Sequence, residues 1–116
     1  MQETKKEKEE KFSIANHPWI MLVCAIYHSE KKGRRPGIKD IYELLNPLIS
    51  LDDLKTELKR AIEWSTVGRS LDKRDDDEEY TWVYYCGSDA SREIYEKYWL
   101  QIEMEKLEAA EIGNPT

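Results

Sequence analysis

Residues 19–27 read WIMLVCAIY, nine residues in a row without a charge. A run this short cannot cross a bilayer, which takes about 18 or more apolar residues, so it has to be buried in protein. Its flanks select a helix. Asn16-His17-Pro18 stands before it; Asn is a good N-cap, and Pro is tolerated in a first turn, where no intrahelical donor is lost. Lys31, Lys32 and Gly33 follow it, bases suited to a helix C-terminus and a residue suited to stopping one. The stretch WIMLVCAIYHSEKK is apolar on nearly every side up to Tyr27, which predicts the central buried helix of a mainly α domain.

The rest of the chain arranges itself around that helix. Arg34-Arg35-Pro36-Gly37 reads as a turn. In IKDIYELLN, Ile38, Ile41, Tyr42 and Leu45 fall on one helical stripe, and Asn46-Pro47 stops it, because the residue before Pro is pushed out of helical geometry. Ser50 is placed to cap a third helix, with Asp53 three residues on. Leu51, Leu54, Leu58, Ala61 and Ile62 form its apolar stripe, and Lys55, Thr56, Lys59, Arg60 and Glu63 lie opposite. It is expected to end near Trp64–Ser65. Tyr80, Trp82, Tyr84 and Cys86 then alternate with Thr81, Val83 and Tyr85, the period of a strand rich in aromatic and β-branched residues. Its expected partner is Val67 to Lys73. Gly87-Ser88-Asp89 breaks the strand and caps a last helix over about residues 89–112, ended by Gly113-Asn114-Pro115.

Length and composition narrow the function classes. The 116 residues suffice for one domain with a real core. Residues 1–15 form a polar lead-in, expected to be disordered because its Lys/Glu tract has no apolar face. The start MQETKKEKEEK does not resemble a secretion signal, and the expected location is intracellular, in cytoplasm or nucleus, with no membrane. Cys24 and Cys86 are the only two cysteines. Neither belongs to a CxxC or Cys/His cluster, so both are expected to stay reduced, Cys24 in the core. His17 and His28 have no carboxylate or Cys at metal spacing. There is no Gly-rich phosphate loop and no grouped Ser/His/Asp. An enzyme, a metal and a cofactor are therefore not expected.

The net charge is −6, unevenly spread. Residues 12–50 balance at +2 and residues 51–70 at zero, whereas residues 71–87 and 88–116 each balance at −4. Much of the acid lies in LDKRDDDEEYTWVYYCG, where Asp75 to Glu79 run directly into the aromatic strand.

Three helices, a two-stranded hairpin and a long final helix, in this order, resemble a winged helix-turn-helix domain over about residues 16–110. The expected division is a winged-helix domain over 16–87 and a C-terminal helical element over 88–116. The stretch HPWIMLVCAIYHSEKKGRRPGIKDIYELL is similar in pattern to the start of forkhead and linker-histone winged helices. The long last helix is similar to that of small PadR- and MarR-like regulators. In such domains the third helix enters the major groove and the wing touches backbone or minor groove. Carried onto this chain, the resemblance implies double-stranded DNA as partner and transcriptional regulation as role. Lys55, Thr56, Lys59 and Arg60 become the groove-facing candidates. Arg34, Arg35 and Lys39 become phosphate contacts at the start of the second helix, and Lys73 and Arg74 contacts at the wing.

The PadR-like pattern also implies a homodimer through the last helix, with Ile94, Tyr95, Tyr98, Trp99, Ile102 and Leu107 as candidate interface residues. A second reading competes. Five carboxylates on a wing tip repel phosphate, so Asp75–Glu79 beside Tyr80, Trp82 and Tyr84 could instead dock a basic protein segment, making the domain a protein-interaction module.

Overall fold

The computed structural model describes residues 13–73 and 79–112. Within them the chain is mainly helical, with one small antiparallel sheet. The helices are α1 (Pro18–Lys31), α2 (Ile38–Leu45), α3 (Leu51–Glu63) and α4 (Asp89–Ile112); the strands are β1 (Gly68–Asp72) and β2 (Thr81–Tyr85). No helix among the described residues is long and apolar enough to cross a membrane.

α1 is the buried axis that its sequence predicts. Every residue from Ile20 to Ile26 is buried. Its start differs from expectation. Asn16 belongs to a short 3-10 turn, Ile14–Asn16, and His17 takes the N-cap position without a side-chain cap bond. Pro18 within the first turn removes one of the donors that would otherwise need capping. At the other end Gly33 adopts φ +86°, and the Gly33 and Arg34 N–H groups donate back to the carbonyls of Glu30 and Ser29. This closes the last turn in the left-handed manner glycine allows.

α2 starts where the Asp40 carboxylate accepts the Gly37 N–H at 2.8 Å, and buries Ile41 and Leu45. α3 starts where Ser50 Oγ accepts the Asp53 N–H at 3.1 Å, the predicted cap. Its stripe is not quite the predicted one. Leu54, Leu58 and Ala61 are buried, but Leu51 is exposed and Glu57 is buried among them. The helix ends at Trp64, and Ser65 follows in the left-handed region at φ +61°.

The strand register is Gly68 with Tyr85, Arg69 with Tyr84, Ser70 with Val83, Leu71 with Trp82 and Asp72 with Thr81. A Cβ at Gly68 would fall on the Tyr85 ring, so the bare backbone there is what lets the ring lie across β1. Burial does not follow the two-face alternation, since neighbouring Val83 and Tyr84 are both buried. The reason is that β2 packs against both α1 and α2. The Tyr84 N–H also donates to the Pro36 carbonyl at 2.9 Å, tying the α1–α2 connection to the sheet.

α4 lies along α1 and reaches back to the 3-10 turn. Ser88 caps it, its Oγ accepting the Ser91 N–H at 3.1 Å. Cys24 and Cys86 are both free and buried, Cys24 in the core where its apolar run places it. Burial, the larger influence on each, pushes both thiols up to about 12.

Candidate nucleic-acid interface

α3 presents its polar side to solvent because Leu54, Leu58 and Ala61 hold the opposite side against the core. Lys55, Thr56, Lys59 and Arg60 are all exposed, as the sequence implies. They are not equivalent. Thr56 donates its hydroxyl to the Asp52 carbonyl at 3.1 Å, the local back-bond common for Thr in a helix. Arg60 Nη1 donates to Glu57 Oε1 at 3.2 Å, so one of the predicted cations is already engaged by a carboxylate. Lys55 and Lys59, one turn apart, have no carboxylate partner among the described residues. The first turn of the same helix carries exposed Asp52 and Asp53, which favour the helix N-terminus but add negative charge to the face.

The second cationic group is divided. Arg34, Arg35 and Lys39 are exposed around the start of α2. Arg35 is committed to the hairpin, its guanidinium 4.4 Å from the centroid of Tyr85 and its Nη1 donating to Ser70 Oγ at 3.4 Å. On the hairpin, Lys73 is exposed, while Arg74 and residues 75–78 of the acidic run lie outside the described residues; Glu79 is exposed. Sequence reasoning passed over Arg69, whose guanidinium sits 4.3 Å from the Trp82 ring centroid. The signal for it was a base in a strand facing an aromatic strand, readable only once the register is known.

The α4 residues assigned to a dimer are unevenly covered within the single chain. Tyr95 and Ile102 are buried within the chain itself, and Ile94, Tyr98 and Trp99 pack half-buried against the same core. These contacts hold α4 to the domain. Only Leu107 of that set is exposed, and it lies in line with Leu100 and Met104, also exposed. The spacing 100, 104, 107 is helical and was available in the sequence.

Beneath α4, His28 stacks on Trp99 at 4.4 Å between centroids, and its Nδ1 lies 2.8 Å from the Tyr95 hydroxyl. Burial, then the nearby Lys32, lowers the His28 pKa below its usual value, with Lys31 and Lys106 adding to the effect and Glu103 opposing it. The ring, stacked on Trp99 and bonded through one nitrogen to Tyr95, is a packing element. Among the described residues no group of His, Cys, Asp or Glu could hold a metal ion.

No known protein family, characterised protein or solved structure matches the chain.

Proposed function

We propose that the chain is a winged-helix protein that binds double-stranded DNA as a homodimer and regulates transcription, with α3 in the major groove and the β1–β2 hairpin as wing. The observation that carries the reading is Lys55 and Lys59. Two lysines sit one turn apart on the exposed side of a helix, without a carboxylate partner among the described residues. They stand on the third helix of an element order suited to groove insertion. Arg69 and Lys73 extend positive charge onto the hairpin. The Tyr84–Pro36 backbone bond supports the same reading, because it holds hairpin and helices in one unit. The test is fluorescence anisotropy with mixed-sequence duplex DNA at low and moderate salt. Binding should weaken steeply with salt. Lys55→Ala and Lys59→Ala should each cost roughly 1 kcal/mol, a several-fold loss, and flatten the salt dependence. Absence of binding at low salt would overturn the proposal.

A second reading, docking of a basic protein segment at the wing, draws on exposed Tyr80 and Trp82 beside the acidic run. One variant separates the two. With Asp75, Asp76 and Asp77 all changed to Asn, a DNA binder should bind more tightly, most at low salt, because a Coulombic repulsion is removed. A protein-docking module should lose affinity and association rate for its basic partner, and Lys59→Ala should leave that complex unchanged.

A further inference from the structure

A cleft of about 350 Å³ opens between the start of α1 and the end of α3, away from the lysines of α3. Val23 and Ala61 line it, and Trp19 and Trp64 stand beside it, 47% and 78% exposed. Large indoles are usually among the better-covered side chains, and two at one cleft form a surface suited to being covered. Into the same cleft comes Glu57, whose side chain is only 9% exposed. Its Oε1 accepts from Arg60. It has no other hydrogen bond or ion pair among the described residues, yet no atom of it is sealed from solvent without a partner. A carboxylate this buried is normally fully paired; here only Oε1 has a partner among the described residues, and the side chain lines the cleft.

We propose that this cleft binds a small organic cation of the alkylated-ammonium class. The two indole faces receive its charge-bearing carbons, and Glu57 supplies the counter-charge. Arg60 also borders the cleft, its guanidinium held by Glu57, and the indoles with the more buried carboxylate favour a cation over the other ligand types. An anion would meet the Glu57 carboxylate, and a neutral apolar molecule would desolvate that carboxylate further without compensating it. The volume is at the lower end of small-molecule sites. Where the DNA-binding reading also holds, the cation has a consequence for it. It competes with Arg60 for Glu57, and so releases a guanidinium on α3.

The experiment is a tryptophan-fluorescence titration of the full chain with choline, alongside its uncharged carbon isostere dimethylbutanol, without DNA. Choline should give a saturable change, and dimethylbutanol should bind at least about tenfold more weakly. Glu57→Gln keeps size and removes the charge; Trp64→Ala removes a mostly exposed ring and so should fold normally, as circular dichroism would check. Both should weaken choline binding about tenfold or more, and Arg60→Gln should retain it. No saturable choline binding, equal binding of the isostere, or unchanged affinity in Trp64→Ala would overturn the proposal. So would binding of a lysine-rich peptide alone, which would make the cleft a protein-docking surface. Loss of DNA binding in a chain that still binds choline would count against the α3 reading only.

Discussion

Glu105 Oε2 accepts the backbone N–H of Ile14 at 2.8 Å, across 91 residues of chain. The other carboxylate oxygen takes the Ser13 hydroxyl at 2.7 Å, and Gln101 donates from one turn earlier. One side chain of α4 therefore satisfies the donors of the 3-10 turn that leads into α1. Burial works against ionisation of Glu105, but the hydrogen bonds from Ile14, Ser13, Gln101 and Ala15 outweigh it and hold the carboxyl below its usual range. Glu105→Ala should cost about 1–3 kcal/mol in chemical denaturation at neutral pH. The folded carboxyl resists protonation more than the unfolded one. Its contribution is thus complete above the ordinary Glu range and disappears as pH falls through the lowered folded value. The gap between wild type and Glu105→Ala should therefore narrow on acidification below about pH 4.

His28 predicts a second pH effect at milder acidity. Its folded pKa lies below the ordinary 6.5, so over that interval the unfolded chain binds a proton that the folded chain refuses. Stability should fall as pH drops from 6.5 toward the folded value, then level off from this group. His28→Phe preserves a ring against Trp99 and removes the titration. Melting temperatures of the variant should be flatter than wild type across this range; equal slopes would refute the assignment.

Ser65 closes α3 at φ +61°, with the Ser65 and Thr66 N–H groups returned to the Ile62 and Ala61 carbonyls. A side chain in this region costs about 1 kcal/mol or more relative to glycine. Glycine loses more entropy on folding, which takes back part of the gain. Ser65→Gly should raise stability by about 0.5–1 kcal/mol, read from the urea midpoint at unchanged slope.

Much of this was legible from local chemistry. Ser50 with Asp53, Gly33 after two lysines, and the aromatic alternation before Cys86 each mark a helix or strand end by interactions spanning a few residues. The side of α4 that meets the domain was not legible. Ile94, Tyr95, Tyr98, Trp99, Leu100, Ile102, Met104 and Leu107 put apolar groups on most of its circumference, and the choice is made by where α1 lies. Glu57 was missed for a related reason. It falls between Leu54, Leu58 and Ala61 on the buried stripe, a position that its charge argues against until Arg60 is seen to hold it. In the candidate interface, Lys55 and Lys59 stand out by helical spacing, whereas the engagement of Arg35 by Tyr85 depends on a contact between distant segments.

The exposed line of Leu100, Met104 and Leu107 is the surface through which two copies are expected to pair. Wild type should sediment as a dimer at micromolar concentration. Leu100→Glu with Leu107→Glu should give a folded monomer, since neither side chain is buried in the single chain. A wild-type monomer at high micromolar concentration would refute pairing by this helix.

The bond from Tyr84 to Pro36 has one more result. β2 has β1 on one side and the Pro36 backbone on the other, so a foreign strand cannot add to it there without breaking that bond. The open edge of the sheet belongs to β1, five residues long, with Arg69 and Asp72 on it and Lys73 just beyond. Short length and charge are what keep an open edge from recruiting strands of other molecules. The aromatic strand, the most aggregation-prone segment of the hairpin by composition, is thus the one whose outer edge is covered by the Pro36 backbone at Tyr84.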